Sequence, residues 1–153
     1  MKVRNIMTQP AQTCTPHTNL AAASRRMKET GCGTLAVLSA GRLAGILTDR
    51  DLAMAIANVD APARVSVGTV MTKRVHSCRL DDDVHTVLAT MSKFRVRRLP
   101  VLSSDGDVEG MISIDDIVMW ATPRSAVSLP VLMTALRSIC HASSSIIHDA
   151  VEC

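Results

Sequence analysis

Residues 45–51 read Gly45-Ile46-Leu47-Thr48-Asp49-Arg50-Asp51, and residues 110–116 read Gly110-Met111-Ile112-Ser113-Ile114-Asp115-Asp116. Both fit one form: Gly, two apolar residues, a hydroxyl residue, two variable residues, then Asp. The apolar pair reads as the end of a strand, and the residues after the hydroxyl as the first turn of a helix. Thr or Ser in that place is a good N-cap, and a carboxylate three residues on suits a capping box. The same pattern suits a ligand. Gly lets a ligand approach the backbone closely. A hydroxyl at the mouth of a helix can bond a phosphate or sugar oxygen, helped by free helix N–H groups. The Asp carboxylate can accept both hydroxyls of a ribose cis-diol. Capping alone accounts for a single copy; two copies in register favour a ligand as well.

Outward from these copies the chain repeats itself, the mark of a duplicated unit. A shift of 64 positions lays Met7-Thr8 on Met71-Thr72, Cys14 on Cys78, Met27 on Met91 and Val37-Leu38-Ser39 on Val101-Leu102-Ser103. One inserted residue makes the shift 65 and lays Gly41 on Gly106, Gly45 on Gly110, Asp51 on Asp116 and Met54 on Met119. Each half predicts β-α-β-β-α. An extended piece (Gln12–Thr15; His76–Arg79) precedes an amphipathic helix. Val84, Val87, Leu88 and Met91 line one helical face, as Leu20, Ala23 and Met27 do more weakly. Thr18-Asn19 and Asp81–Asp83 supply caps, and Gly31 a stop. Strands at Leu35–Leu38 and Leu99–Leu102 turn at Gly41 and Gly106. They return as Leu43–Leu47 and Val108–Ile112, and helices follow over Asp49–Ala57 and Asp115–Ala121. The expected architecture is α/β (α+β), two repeats packed sheet to sheet with pseudo-twofold symmetry. The expected domains are residues 1–60, 61–122 and a helical tail, 123–153. Asn58–Ser66 is the expected linker.

Composition narrows the function classes. The chain has 153 residues, a net charge of +3, one Trp, one Phe and no Tyr. Such a core is aliphatic, with nine Met as filler, and scarce aromatics argue against a base-stacking nucleic-acid surface. Five Cys without a CxxC, and five His without an HExxH, give no metal-ligand spacing. No apolar run approaches a membrane span and the N-terminus has no apolar signal region, which suits a cytoplasmic protein. No catalytic constellation stands out, so no enzyme activity is expected; Ser24, Ser125 and Ser144 lack a nucleophile-elbow context.

The chain resembles a pair of cystathionine-β-synthase (CBS) domains, a Bateman module. Ile6-Met7-Thr8, Leu35-Ala36-Val37, residues 45–52, Arg97-Arg98-Leu99-Pro100-Val101 and residues 110–117 carry the resemblance, over about Val3 to Ala121. It implies two related clefts between the repeats, homodimers, and an adenine nucleotide (AMP, ADP, ATP) or related adenosyl ligand as regulatory ligand, with no required cofactor. It makes Asp51 and Asp116 the ribose carboxylates and Thr48 and Ser113 the hydroxyls near sugar or phosphate. It makes Arg97 and Arg98 phosphate contacts reaching the Asp51 cleft, and points Arg50 toward the Asp116 cleft. The Asp51 cleft would then favour the more highly charged ligand. The implied function is a regulatory module that senses such a ligand and signals to an unidentified protein effector. A constitutive assembly protein with vestigial clefts is the alternative. A nucleic-acid-binding regulator using Arg95, Arg97 and Arg98 is disfavoured by the low charge. The tail lies outside the resemblance. Ser128 and Pro130 could open a helix with Leu132, Leu136 and Ile139 as its stripe, broken at residues 141–145.

Overall fold

The computed structural model describes residues 1–120 and 127–148. Two compact units divide the chain: residues 10–75 with 102–110, and residues 1–9 with 76–101 and the described residues from 111 to 148.

The first unit is organised by a three-stranded sheet. Strand β1 (Thr13–Cys14) runs parallel to β2 (Thr34–Ser39), and β2 pairs antiparallel with β3 (Arg42–Thr48). Between β1 and β2 lies helix α1 (Leu20–Thr30). Asn19 caps it by accepting from the Ala22 amide at 2.8 Å, and Gly31 ends it in the left-handed conformation, φ 65°. Helix α2 (Asp49–Ile56) leaves β3 directly. The register sets Leu35 opposite Leu47 and Thr34 opposite Thr48. Side chains alternate across a strand. Leu35, Val37 and Leu47 therefore join Leu20, Ala23, Met27, Leu52 and Val67 in one core, and Thr34 and Thr48 share the other face.

The second unit repeats the plan. Strand β4 (Cys78–Arg79), helix α4 (Val84–Phe94), β5 (Arg98–Leu102) and β6 (Val108–Ser113) form a sheet ordered β4-β5-β6, followed by helix α5 (Ile114–Trp120). Asp83 caps α4 by accepting from the His85 amide at 2.9 Å. Leu99, Val101 and Ile112 pack with Val84, Val87, Leu88 and Met91 in this unit's core.

Three features depart from the sequence expectations. A short helix, α3 (Val67–Val70), follows the linker, at residues to which the sequence reading assigned no element. Each Met-Thr segment also bonds a strand of the other repeat. Thr8 bridges Met111 of β6, and Thr72 bridges Ile46 of β3. Single-strand periodicity carries no sign of that exchange. In the tail, helix α6 runs unbroken over Leu129–His148, so the break expected at residues 141–145 is absent. Ser favours turns only weakly, and packing elsewhere in a helix overrides that preference. Leu132, Ala135 and Ile139 of α6 pack into the second unit's core, and Ser138 donates to the Ser92 carbonyl of α4 at 3.2 Å.

Cys14 and Cys78 hold equivalent places, β1 and β4, and both are buried. Burial pushes the Cys14 thiol up, with Arg26 opposing. Burial, reinforced by Asp82, pushes Cys78 up to about 12. The thiolate is the nucleophile, so both should stay protonated and unreactive at pH 8. Iodoacetamide on the native protein is expected to label exposed Cys140 and spare Cys14 and Cys78 until denaturant is added. Peptide mapping that finds either one alkylated in the native protein would contradict this.

Candidate functional site

The end of β3 and the start of α2 form a closed capping box. The Thr48 hydroxyl donates to Asp51 Oδ2 at 2.7 Å and accepts from the Asp51 amide at 3.2 Å. Asp51 Oδ2 also accepts from the Thr48 amide at 2.9 Å. The second repeat builds the same object. The Ser113 hydroxyl donates to Asp116 Oδ2 at 2.6 Å, the Ser113 amide donates to that oxygen at 2.7 Å, and the Asp116 amide donates to the hydroxyl at 3.1 Å. Capping is therefore real in both copies, and it fixes each carboxylate in one orientation.

The second carboxylate oxygens differ. Asp116 Oδ1 accepts from the Thr8 hydroxyl at 3.2 Å. Thr72, the counterpart of Thr8, makes no such bond, and Asp51 Oδ1 keeps no partner among the described residues. A diol arriving at Asp51 meets an open acceptor; one arriving at Asp116 competes with Thr8.

Two local readings of the sequence are corrected. The first amides of α2 are not free for a phosphate. Asp49 donates to the Gly33 carbonyl at 3.1 Å, Arg50 to Asp49 Oδ1 at 2.8 Å, and Asp51 to Thr48. The Gly33 carbonyl and the side chains of Asp49 and Thr48 consume the donors that an anion would need. Nor does Gly45 face open space kept for a ligand. A Cβ there would lie 2.6 Å from Met71 Sδ and 3.0 Å from the Thr72 carbonyl, so the glycine admits the chain's own Met-Thr segment.

Arg97 opens the second sheet just as Gly33 opens the first: the Ile114 amide donates to the Arg97 carbonyl at 2.9 Å, as Asp49 does to Gly33. The structure thus groups Arg97 (exposed) and Arg98 (half-buried) in one compact unit with Ser113 and Asp116, and Arg50 (exposed) with Thr48 and Asp51. None of the three arginines holds an ion pair among the described residues. Thr34, which sequence reasoning did not select, occupies the place of Arg98. It is 4% exposed and its hydroxyl has no hydrogen-bond partner among the described residues. Its signal in the sequence was only a Thr where the other repeat has Arg.

The CBS domain profile matches the chain twice, over residues 3–58 and 67–122. The chain belongs to the CBS domain family. This CBS pair is 35% identical over 117 residues to the uncharacterized 17.7 kDa protein in the bps2 3′ region of Acidianus ambivalens, covering 76% of this chain and 70% of that one. It is similar to the crystal structure of the CBS domain pair of protein MJ0100 in complex with 5′-methylthioadenosine and S-adenosyl-L-methionine. There the TM-score is 0.71 at 25% identity, over 78% of this chain and 94% of that one. A homoserine O-acetyltransferase of Methanococcus vannielii is 29% identical over 121 residues, 78% of this chain but 25% of that protein, so the likeness covers a minor part of the enzyme. CBS pairs are a class of regulatory, ligand-binding modules. Among the described residues no helix is long and apolar enough to cross a membrane, and no cluster of three or more His, Cys, Asp or Glu is placed to hold a metal.

Proposed function

We propose that this CBS pair is a regulatory sensor of an adenine nucleotide or related adenosyl ligand, acting on a protein effector rather than catalysing a reaction. The observation that carries the reading is the twin capping box, which presents Asp51 with an unused oxygen beside the Thr48 hydroxyl. A fixed carboxylate with a free oxygen is a receptor for a ribose diol. Ser113 and Asp116 offer a second receptor once Thr8 yields. Arg97, Arg98 and Arg50, without an ion pair among the described residues, are cations suited to an anionic substituent. The adenosyl ligands of the MJ0100 pair support the same ligand class.

Thermal-shift titration with AMP, ATP, NAD and S-adenosylmethionine tests the reading. A ligand that binds only the folded state stabilises by about 2.7 kcal/mol at a hundred times its Kd. Asp51→Ala is expected to weaken the best ligand by about ten- to a hundredfold, the worth of hydrogen bonds to a charged group. Asp116→Ala is expected to cost less, because Thr8 already occupies that carboxylate. The absence of any shift, or shifts untouched by both variants, would remove the sensor reading.

One observation favours a role in assembly alongside sensing. Met54 and Met119, equivalent in the two repeats, are 62% and 82% exposed, and Trp120 is 55% exposed. Large exposed apolar side chains suit a homodimer face, and Met119 and Trp120 adjoin on α5. Light scattering on Met119→Lys separates the cases: a dimer that becomes monomeric locates the face, and an unchanged mass removes it.

A further inference from the structure

Helix α6 lies outside the stretches that match the family profile, residues 3–58 and 67–122. Its first half is apolar on two sides. Leu132, Ala135 and Ile139 face the second unit's core. Leu129, Met133, Leu136 and Cys140 form a second stripe, at steps of four, three and four residues. At about 100° per residue these four fall within an arc of roughly 60°. The residues turned toward α4 lie on the far side of the helix from that arc. Ser138 donates to the Ser92 carbonyl of α4, and Val131 and Thr134 line a groove with Ala89 of α4. The second stripe therefore runs along the flank of α6 that α4 leaves uncovered. Leu129 is 62% exposed and Met133 51%. Cys140 is exposed and Leu136 half-buried.

A surface helix normally sets charged residues opposite its core stripe. Over Leu129–His148 the one Lys, Arg, Asp or Glu is Arg137. Steps of three and four are the spacing of a helix–helix seam, in which each side chain enters a hole of the facing helix. The stripe thus calls for a helix as its cover, and its charge says which kind. With no counter-charge in the stripe, an acidic or basic helix would bury its own charges unpaired. An uncharged seam of the same spacing and length is the matching partner, and α6 itself is one. Antiparallel pairing sets Leu129 across from Cys140 of a second copy and Met133 across from Leu136. It opposes the two helix dipoles. It also keeps the two Arg137 roughly 7 Å apart along the axis, where a parallel pair would set them level.

We propose that the Leu129–Cys140 flank of α6 pairs antiparallel with the same flank of a second copy of this chain. The contact is self-complementary and closes on a twofold axis. It lies on a different helix from Met54, Met119 and Trp120, and it does not depend on the sensor reading.

Disulfide trapping on the full chain reads the register. Leu129→Cys places a thiol across from the native Cys140 of a second copy. Copper phenanthroline, as oxidant, is expected to convert most of that protein to a covalent dimer. Within one chain the two thiols stand about three turns, roughly 16 Å, apart, beyond the Cα separation of about 7 Å that a disulfide spans. The dimer should be lost when Cys140→Ser removes the second thiol, and when Met133→Lys puts a charge in the seam. Val131→Lys, on the α4 side, should keep it. Native Cys140 gives a second readout without oxidant. It labels readily in dilute protein, and its alkylation should slow severalfold as protein concentration rises, except in Met133→Lys. Met133 is exposed, so Met133→Lys should melt with the wild type when dilute; if it does not fold, Met133→Glu carries the same test. No covalent dimer from Leu129→Cys, or one that persists in Met133→Lys, would overturn the pairing. A wild-type covalent dimer that Cys140→Ser abolishes would set the two Cys140 level and overturn the antiparallel register. Alkylation slowed equally in Met133→Lys but not in Met119→Lys would assign association to the α5 face and overturn the α6 seam.

Discussion

Replacing Leu47 by Ala is expected to cost about 2–5 kcal/mol of folding stability, the range for emptying a close-packed leucine site. Leu47 is fully buried, and its partner across the sheet, Leu35, is fully buried too. Leu20, Met27, Leu52 and Val67 belong to the same cluster. Helices α1 and α2 bring three of these residues, so a void at Leu47 is bounded by elements that cannot all move inward. Total stabilities of domains run about 5–15 kcal/mol, so the loss is a large share of the whole. Leu47 also immediately precedes Thr48, which ties the effect to function. A variant still folded at low temperature should show weaker ligand binding, because the capping hydroxyl and Asp51 ride on the same strand end. Urea denaturation checks the first part through a lower midpoint at unchanged slope. A loss below about 1 kcal/mol would mean that the site relaxes and that the core is not close-packed there.

The two copies of the motif were legible because duplication is a property of the sequence itself. Helix caps were equally legible: Asn19, Asp83, Thr48 and Ser113 each sit where local chemistry demands an acceptor. What escaped depends on contacts far apart along the chain. Neither periodicity nor propensity shows Thr8 bonding Asp116 across 108 positions, nor Thr72 settling against Ile46. The sequence also could not show which donors a cap consumes, so it overstated the amides left for a phosphate. Thr34 escaped for a different reason. A Thr in a strand is ordinary, and only its burial without a partner makes it informative. In the tail, local Ser preference argued for a break while the backbone continues helically through His148.

Gly45→Val is expected to destabilise by about 1–3 kcal/mol, although Val is the better strand former, because added volume in a filled space costs more than propensity returns. The Cβ alone would stand 2.6 Å from Met71 Sδ, 3.1 Å from Met71 Cγ and 3.0 Å from the Thr72 carbonyl. These obstacles differ in kind. The thioether is flexible and can swing aside. The carbonyl cannot, since it accepts from the Ile46 amide at 3.0 Å while the Thr72 amide donates back to Ile46 at 2.9 Å. Gly45→Ala should therefore be milder and should be partly relieved by Met71→Ala, a coupling that a double-mutant cycle reads directly. Gly45→Val should gain little from Met71→Ala, because its branched carbons still press on the Thr72 backbone. The ligand-access reading of this glycine makes the opposite forecast. It would leave ligand-free stability untouched in Gly45→Ala and reduce binding alone. Thermal melts of the four proteins without ligand decide between them: a loss in Gly45→Ala that Met71→Ala reduces assigns the glycine to the Met-Thr segment, and no loss returns it to the ligand.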